Sequence, residues 1–199
     1  MAYPEFFDTI PTITLRDPLS DLLGSATDGL IEYSYAEVVK LTGHSCPTVV
    51  GAWLMTCGAL KRLYPDEVPE RGNIAVMLSK PATEGVTGVI ASVASFITGA
   101  TTDTGFKGLR GRFNRCNLLH FEQPVDGDLG FQRMDTGAQV IASFNSSVVP
   151  PPSELMSKLL AAMDVSSTAA QRATFARTWQ NRVKQIFENT DHPDLIRYS

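Results

Sequence analysis

Helical and strand-like patterns are both present along this chain, and the fold expected of it is α+β. Three observations carry the expectation. A capped helix start followed by a long apolar-periodic helix fills residues 34–63. Three strand-like stretches, two of them joined by the hairpin turn Asp135-Thr136-Gly137, fill residues 117–144. Helical periodicity returns after Pro150-Pro151-Pro152 and holds to about residue 189. Apolar residues make up 43% of the 199 and charged residues 19%, which suffices for a proper core. The division expected is an α+β body with an N-terminal arm over 1–149, and a helical extension over 150–199 packed on the same core or on a second copy of the chain.

Residues 1–18 read as an extended arm, because Pro4, Pro11 and Pro18 interrupt its apolar and aromatic positions. Leu19 to Leu23 make a short helical turn stopped by Gly24. Ser34-Tyr35-Ala36-Glu37 is a capping box and predicts a helix from about Tyr35 to Leu41. Gly43 closes that helix, and Pro47 suits the first position of the next, which should run to about Leu63. Along it Cys46, Val49/Val50, Trp53/Leu54, Cys57, Leu60 and Tyr64 recur at threes and fours as one apolar stripe. Cys57, three turns below Cys46, reads as a small core residue.

Pro65 and Pro69 end the helix, and Gly72 opens a strand from Asn73 to Ser79. A turn at Pro81 to Thr83 leads through Glu84-Gly85-Val86-Thr87-Gly88 into Val89 to Ile97, a run of small residues almost without charge that predicts a buried helix stopped by Gly99. Glu84 is placed to favour that helix's positive end, a capping role. The strand-like stretches are Asn117 to Glu122, Gly130 to Met134 and Ala138 to Phe144; His120, alternating with apolar neighbours in the first, reads as structural. After the prolines come helices from Glu154 to Met163 and from Ala169 to about Asn189. The second sets Ala176, Trp179, Val183 and Ile186/Phe187 opposite Arg172, Arg177, Arg182 and Lys184, so it needs a partner surface. His192 falls in a polar tail and is assigned no role.

Composition narrows the function classes. A net charge of −4 gives no electrostatic footprint for nucleic acid or an anionic membrane. No apolar run reaches the roughly 18 residues of a membrane span; the best, Gly85 to Ala100, is short and rich in Gly, Ser and Thr. MAYPEFFDTIP carries acids and prolines where a signal peptide needs basic residues and an apolar core. Three cysteines without an export signal point to a reducing compartment, so the expected location is cytoplasmic.

Two stretches carry chemistry. In Thr42-Gly43-His44-Ser45-Cys46-Pro47-Thr48, Cys46 falls at or next to a helix N-cap, where the dipole favours a thiolate, and His44 lies two residues upstream. An imidazole and a thiol on one turn form half of a soft-metal site, although a capping cysteine beside a chance histidine has the same sequence. Further on, Gly105, Gly108 and Gly111 recur every third residue, with Lys107, Arg110, Arg112 and Arg115 between and after them. Such a loop exposes backbone N–H groups and positive charge to an anion, and a flexible solvated turn shares its composition.

The order of these elements resembles a known family. Gly43-His44-Ser45-Cys46-Pro47 heading an amphipathic helix, a strand, Glu84-Gly85-Val86 heading a buried helix, then Thr98-Gly99 and a Gly/Lys loop are similar to the FmdE-like family of formylmethanofuran dehydrogenase subunits, which has stand-alone members, over roughly residues 30–145. The resemblance implies helices packed on an antiparallel sheet, an intertwined homodimer and a bound metal. His44 and Cys46 match the family's His-x-Cys, and Glu84 stands where the family often has a second cysteine. A further family cysteine is Ala100 here, and Cys116, without a family counterpart, is a substitute ligand. The implied set His44, Cys46, Glu84 and Cys116 suits zinc first among divalent ions. Three ligands and an open position would let the metal act on a small anionic molecule oriented by the basic loop. The alternative is a non-enzymatic accessory subunit, metal carrier or thiol/metal sensor. Metal-free Cys–His catalysis ranks below both, since residues two apart on a turn rarely align a base onto a neighbour. The departures from the family pattern imply that the chain is not a working part of a methanogenic complex.

Overall fold

The N-terminal arm does not stay extended. In a computed structural model describing residues 3–199, it makes a short 3-10 turn, Glu5–Thr9, and then strand β1, Ile13–Arg16. Met1 and Ala2, the first residues of the expected arm, lie outside the described residues. β1 pairs antiparallel with β2, Leu30–Tyr33, placing Ile13 opposite Tyr33 and Arg16 opposite Leu30. Pro11 and Pro18 flank this strand instead of interrupting it, where a missing N–H costs the ladder nothing. Between the strands lies α1, Pro18–Leu22, with Asp17 as N-cap: its carboxylate accepts the Leu19 and Ser20 N–H groups.

The capping box forms as expected at the head of α2, Tyr35–Thr42: the Ser34 N–H donates to Glu37 Oε2 at 2.8 Å, and Ser34 Oγ accepts the Glu37 N–H at 3.4 Å. Gly43 ends it in the left-handed conformation, φ 73°. Helix α3 spans Pro47–Leu63, the predicted range. Its burial is wider than the predicted stripe, because Ala52, Met55, Thr56, Ala59 and Leu63 are buried along with Val49, Val50, Trp53 and Leu60. Strand β3 is Ile74–Met77, and α4, Thr87–Thr98, packs across α3 with Ala91, Val93, Ala94 and Ile97 buried.

Three further strands, β4 (Leu119–His120), β5 (Leu129–Arg133) and β6 (Gln139–Phe144), precede α5 (Leu155–Met163), α6 (Ala169–Glu188) and β7 (Ile196–Tyr198). They form a five-stranded sheet in the order β4-β3-β5-β6-β7. All pairs are antiparallel except β3 with β4, so the sheet is mixed where the resemblance implied an antiparallel one. The strand expected over 117–122 shrinks to two residues because Asn117 and Glu122, each at φ 57°, turn the backbone out of the extended region on either side. The hairpin between β5 and β6 forms at the predicted turn, where Asp135 Oδ1 accepts the Thr136 N–H.

The polar tail hides the last strand. β7 joins β6 with Ala142 opposite Tyr198, so residues 150–199 return to the body's own sheet. Helix α3 lies directly on this end of the sheet through Gly51 and Gly58, two turns apart on one face. A Cβ at Gly51 would enter the Phe144 ring, and one at Gly58 would strike the Tyr198 hydroxyl. With α4 on one side, the sheet on another and α6 along its flank, α3 is covered on several faces, which explains the excess over a single stripe. Among the described residues no helix is long and apolar enough to cross a membrane.

Candidate functional site

Two segments far apart in sequence converge on Asp17. Strand β1 delivers Asp17 just after Arg16, and residues 69–71 lie alongside: the Arg16 N–H donates to the Pro69 carbonyl at 2.9 Å and the Arg71 N–H to the Arg16 carbonyl at 2.8 Å. Arg115 arrives from the glycine-rich loop, whose base is tied down by Thr101 N–H to Arg115 O (3.0 Å) and Arg115 N–H to Phe106 O (2.8 Å). Arg115 Nη2 meets Asp17 Oδ1 at 2.6 Å, and Arg71 Nη1 meets Asp17 Oδ2 at 3.0 Å. Asp17 is 4% exposed and Arg115 6%, so this pair is dry. Gly72 makes the approach workable: at φ 85°, a Cβ there would land on Arg115 Nη1, which donates to the Arg71 carbonyl.

The electrostatics follow from one carboxylate serving two guanidiniums. Burial alone would push the Asp17 carboxyl up, but the Arg71 hydrogen bond, the Arg115 charge and the Ser20 N–H outweigh it and hold the group below the ordinary carboxylate range. Burial pulls the Arg115 guanidinium below its ordinary value, with Asp17 opposing. The cluster therefore carries excess positive charge at a fixed position.

A cleft of about 670 Å³ opens over it, lined among others by Arg16, Glu70, Asn73 and Arg112 together with Arg71 and Arg115. Arg16 is engaged with Asp21 at 3.1 Å. Arg112 lies 4.8 Å above the Phe113 ring and has no carboxylate partner among the described residues. Planar guanidiniums fixed by packing present two parallel N–H groups to a carboxylate or phosphate, and their geometry is set before the ligand arrives.

The glycine-rich loop contributes unevenly. Leu109 and Arg112 exchange N–H to carbonyl bonds at 2.8 and 3.0 Å, and Gly108 at φ 85° has no room for a Cβ against the Arg112 carbonyl. Arg112, exposed, and Arg115, buried, line the cleft, while the exposed Lys107 and Arg110 do not. Within the loop the Leu109, Arg112 and Arg115 N–H groups are satisfied by loop carbonyls, and the two guanidiniums at the cleft add charge that the backbone lacks.

The His44 turn is well anchored. His44 Nδ1 lies 2.9 Å from the Thr42 carbonyl, the Tyr35 and Ser45 hydroxyls are 2.8 Å apart, and the Trp179 Nε1–H donates to the Ser45 carbonyl at 2.8 Å. Cys46 is the N-cap of α3, half-buried, and its thiol makes no capping hydrogen bond. His44 is exposed and borders a hollow of about 260 Å³ shared with Gly88, Val89 and Ser92 of α4. Glu84 does not cap α4. Gly85, at φ 56°, delays the helix to Thr87 with Val86 as N-cap, and Glu84 is exposed and paired with Lys80 at 2.9 Å. Cys116 is buried and donates its S–H to the Gly105 carbonyl at 2.8 Å, closing the base of the glycine-rich loop. Among the described residues no three His, Cys, Asp or Glu side chains come together as a metal-binding group. The chain by itself brings His44 and Cys46 onto one turn, occupies Glu84 and Cys116 elsewhere, and does not fit a complete single-chain metal site.

In the sequence Arg16, Asp17 and Arg71 carry no signal of a site, and Gly72 reads only as the opening of a strand. Asp17-Pro18 is a legible helix start, an N-cap followed by proline at the first position, but nothing local to it points to Arg71 or Arg115. The chain matches no protein-family model, and no curated protein matches it.

Proposed function

We propose that this protein binds a small anionic molecule, a carboxylate or phosphate, in the cleft over Asp17. The observation that carries the reading is Arg112, a guanidinium without a carboxylate partner among the described residues, held beside Arg71 and Arg115 that are locked on a single buried carboxylate. Anion binding is the role expected of the glycine-rich loop, and in this reading Arg112 and Arg115 would supply it, without Lys107 and Arg110. A titration of the protein with inorganic phosphate and with succinate at low ionic strength tests it; Arg112→Ala is the informative variant because that side chain makes no ion pair or side-chain hydrogen bond among the described residues. The three cysteines are free, which fits a reducing, cytoplasmic setting.

A second reading keeps the metal. What supports it is the anchoring of His44 and Cys46 on one turn, with a hollow beside the imidazole. Two donors are half a zinc site, so the ion would need donors from a second copy, in the homodimer that the resemblance to the FmdE-like family implies. In that reading the chain is a metal carrier, an accessory subunit or a sensor. Elemental analysis of protein purified without an affinity-metal step, together with its mass in solution, tests both parts.

A further inference from the structure

A second cavity, of about 630 Å³, lies between the N-terminal turn, the C-terminal half of α3, the end of α6 and β7. Its chemistry differs from that of the arginine cleft. Phe6, Leu54, Phe187 and Tyr198 give it an apolar and aromatic wall. Two cations stand at its rim on the last turn of α3. Lys61 makes no ion pair or side-chain hydrogen bond among the described residues, and Arg62 lies 3.6 Å above the Tyr198 ring while donating to the Gly58 carbonyl at 3.0 Å. Lys184 at the same rim is engaged with Glu188 at 3.3 Å, and the exposed Asp191 is the remaining carboxylate there.

The wall is fixed and uncharged. The Tyr198 hydroxyl sits over Gly58 and donates to the Leu54 carbonyl at 3.0 Å. Burial, opposed by Arg62, pushes this phenol up to about 12, so it stays neutral. Burial likewise pushes the Cys57 thiol up, which leaves it a small apolar wall atom in place of a nucleophile. Basic residues in a last helical turn are accounted for by the helix dipole. The dipole does not account for an apolar cavity of ligand size opening beneath them.

We propose that this cavity binds an amphipathic monocarboxylate, with an acyl or aryl body against the Phe6–Phe187–Tyr198 wall and its carboxylate at Lys61. This site is independent of the arginine cleft. The cleft, where four arginines outnumber the Asp21 and Glu70 carboxylates, suits a compact polar anion, whereas the second cavity requires an apolar body.

The test is isothermal titration calorimetry with decanoate below its micellar range, repeated with decanol and decyltrimethylammonium. Saturable one-to-one binding of decanoate, at least about tenfold tighter than decanol and tighter still than the cationic amphiphile, is expected. Lys61→Glu should weaken decanoate about tenfold or more and leave phosphate binding at the cleft unchanged, with only a small fall in melting temperature, because Lys61 is exposed and the reversal costs little beyond its interaction with the helix dipole. Trp53, in the cavity wall, reports the occupant by fluorescence once Trp179 is replaced by Phe. No saturable decanoate binding, equal affinity for decanol, or full decanoate affinity in Lys61→Glu overturns the assignment.

Discussion

Arg115 closes a 2.6 Å ion pair with Asp17 across 98 positions of sequence. That contact fastens the glycine-rich loop to the β1–α1 junction, and it fixes where the loop's positive charge is presented. A buried pair of this kind contributes little beyond an apolar replacement, but removing one partner strands the other without water or counter-charge.

Replacing Asp17 by Asn should therefore be costly. Two guanidiniums would lose the one buried carboxylate they share among the described residues, whereas the Asn carbonyl can still cap α1, so the loss reports the ion pairs. A loss of about 3–5 kcal/mol is expected in urea unfolding. A loss below about 1 kcal/mol would mean that the cluster is hydrated in solution.

The same carboxylate sets an acid limit. Because the folded state holds Asp17 below its unfolded value, the stability it supplies is complete above the unfolded carboxylate range and disappears as pH falls through the lower, folded value. Thermal unfolding of the wild type should drop below about pH 4. Asp17→Asn should show a flatter profile in that window, and parallel profiles would remove Asp17 from the acid response.

Gly72 should tolerate no side chain. Gly72→Ala meets both a positive φ and the Arg115 guanidinium, so Arg115 must leave its place. A destabilisation of about 1–3 kcal/mol is expected, with loss of phosphate binding. Gly85→Ala, also at positive φ but with open space around it, serves as the control that separates backbone strain from the clash, and it should keep phosphate binding.

For the metal reading, Cys46→Ser and His44→Ala should each lower zinc content severalfold while Cys57→Ser leaves it unchanged, as read by elemental analysis. Metal that persists in both turn variants would place the ion elsewhere.

How far the sequence reveals this protein depends on how local each rule is. The capping box at Ser34, the stop at Gly43 and the start at Pro47 act within a few residues, and α2 and α3 lie where they point. The Asp135-Thr136-Gly137 hairpin is equally local. β1 and β7 are only four and three residues long, and their strand character comes from partners, Leu30–Tyr33 for one and β6 for the other. The basic loop is recognisable as a group, yet which of its cations turn inward depends on Gly72 and Asp17, far away in sequence. The expectation for Glu84 rests on resemblance and on helix-dipole logic; the positive φ of Gly85 separates it from the helix it was expected to head.

The most direct measurement is phosphate and succinate binding by calorimetry at low ionic strength, on the wild type and Arg112→Ala in parallel. Anion binding at Arg112 requires saturable binding that weakens as salt screens the cleft and falls about tenfold or more in the variant, equivalent to about 1.4 kcal/mol. Saturable binding of neither anion by the wild type, or undiminished affinity in Arg112→Ala, would contradict it.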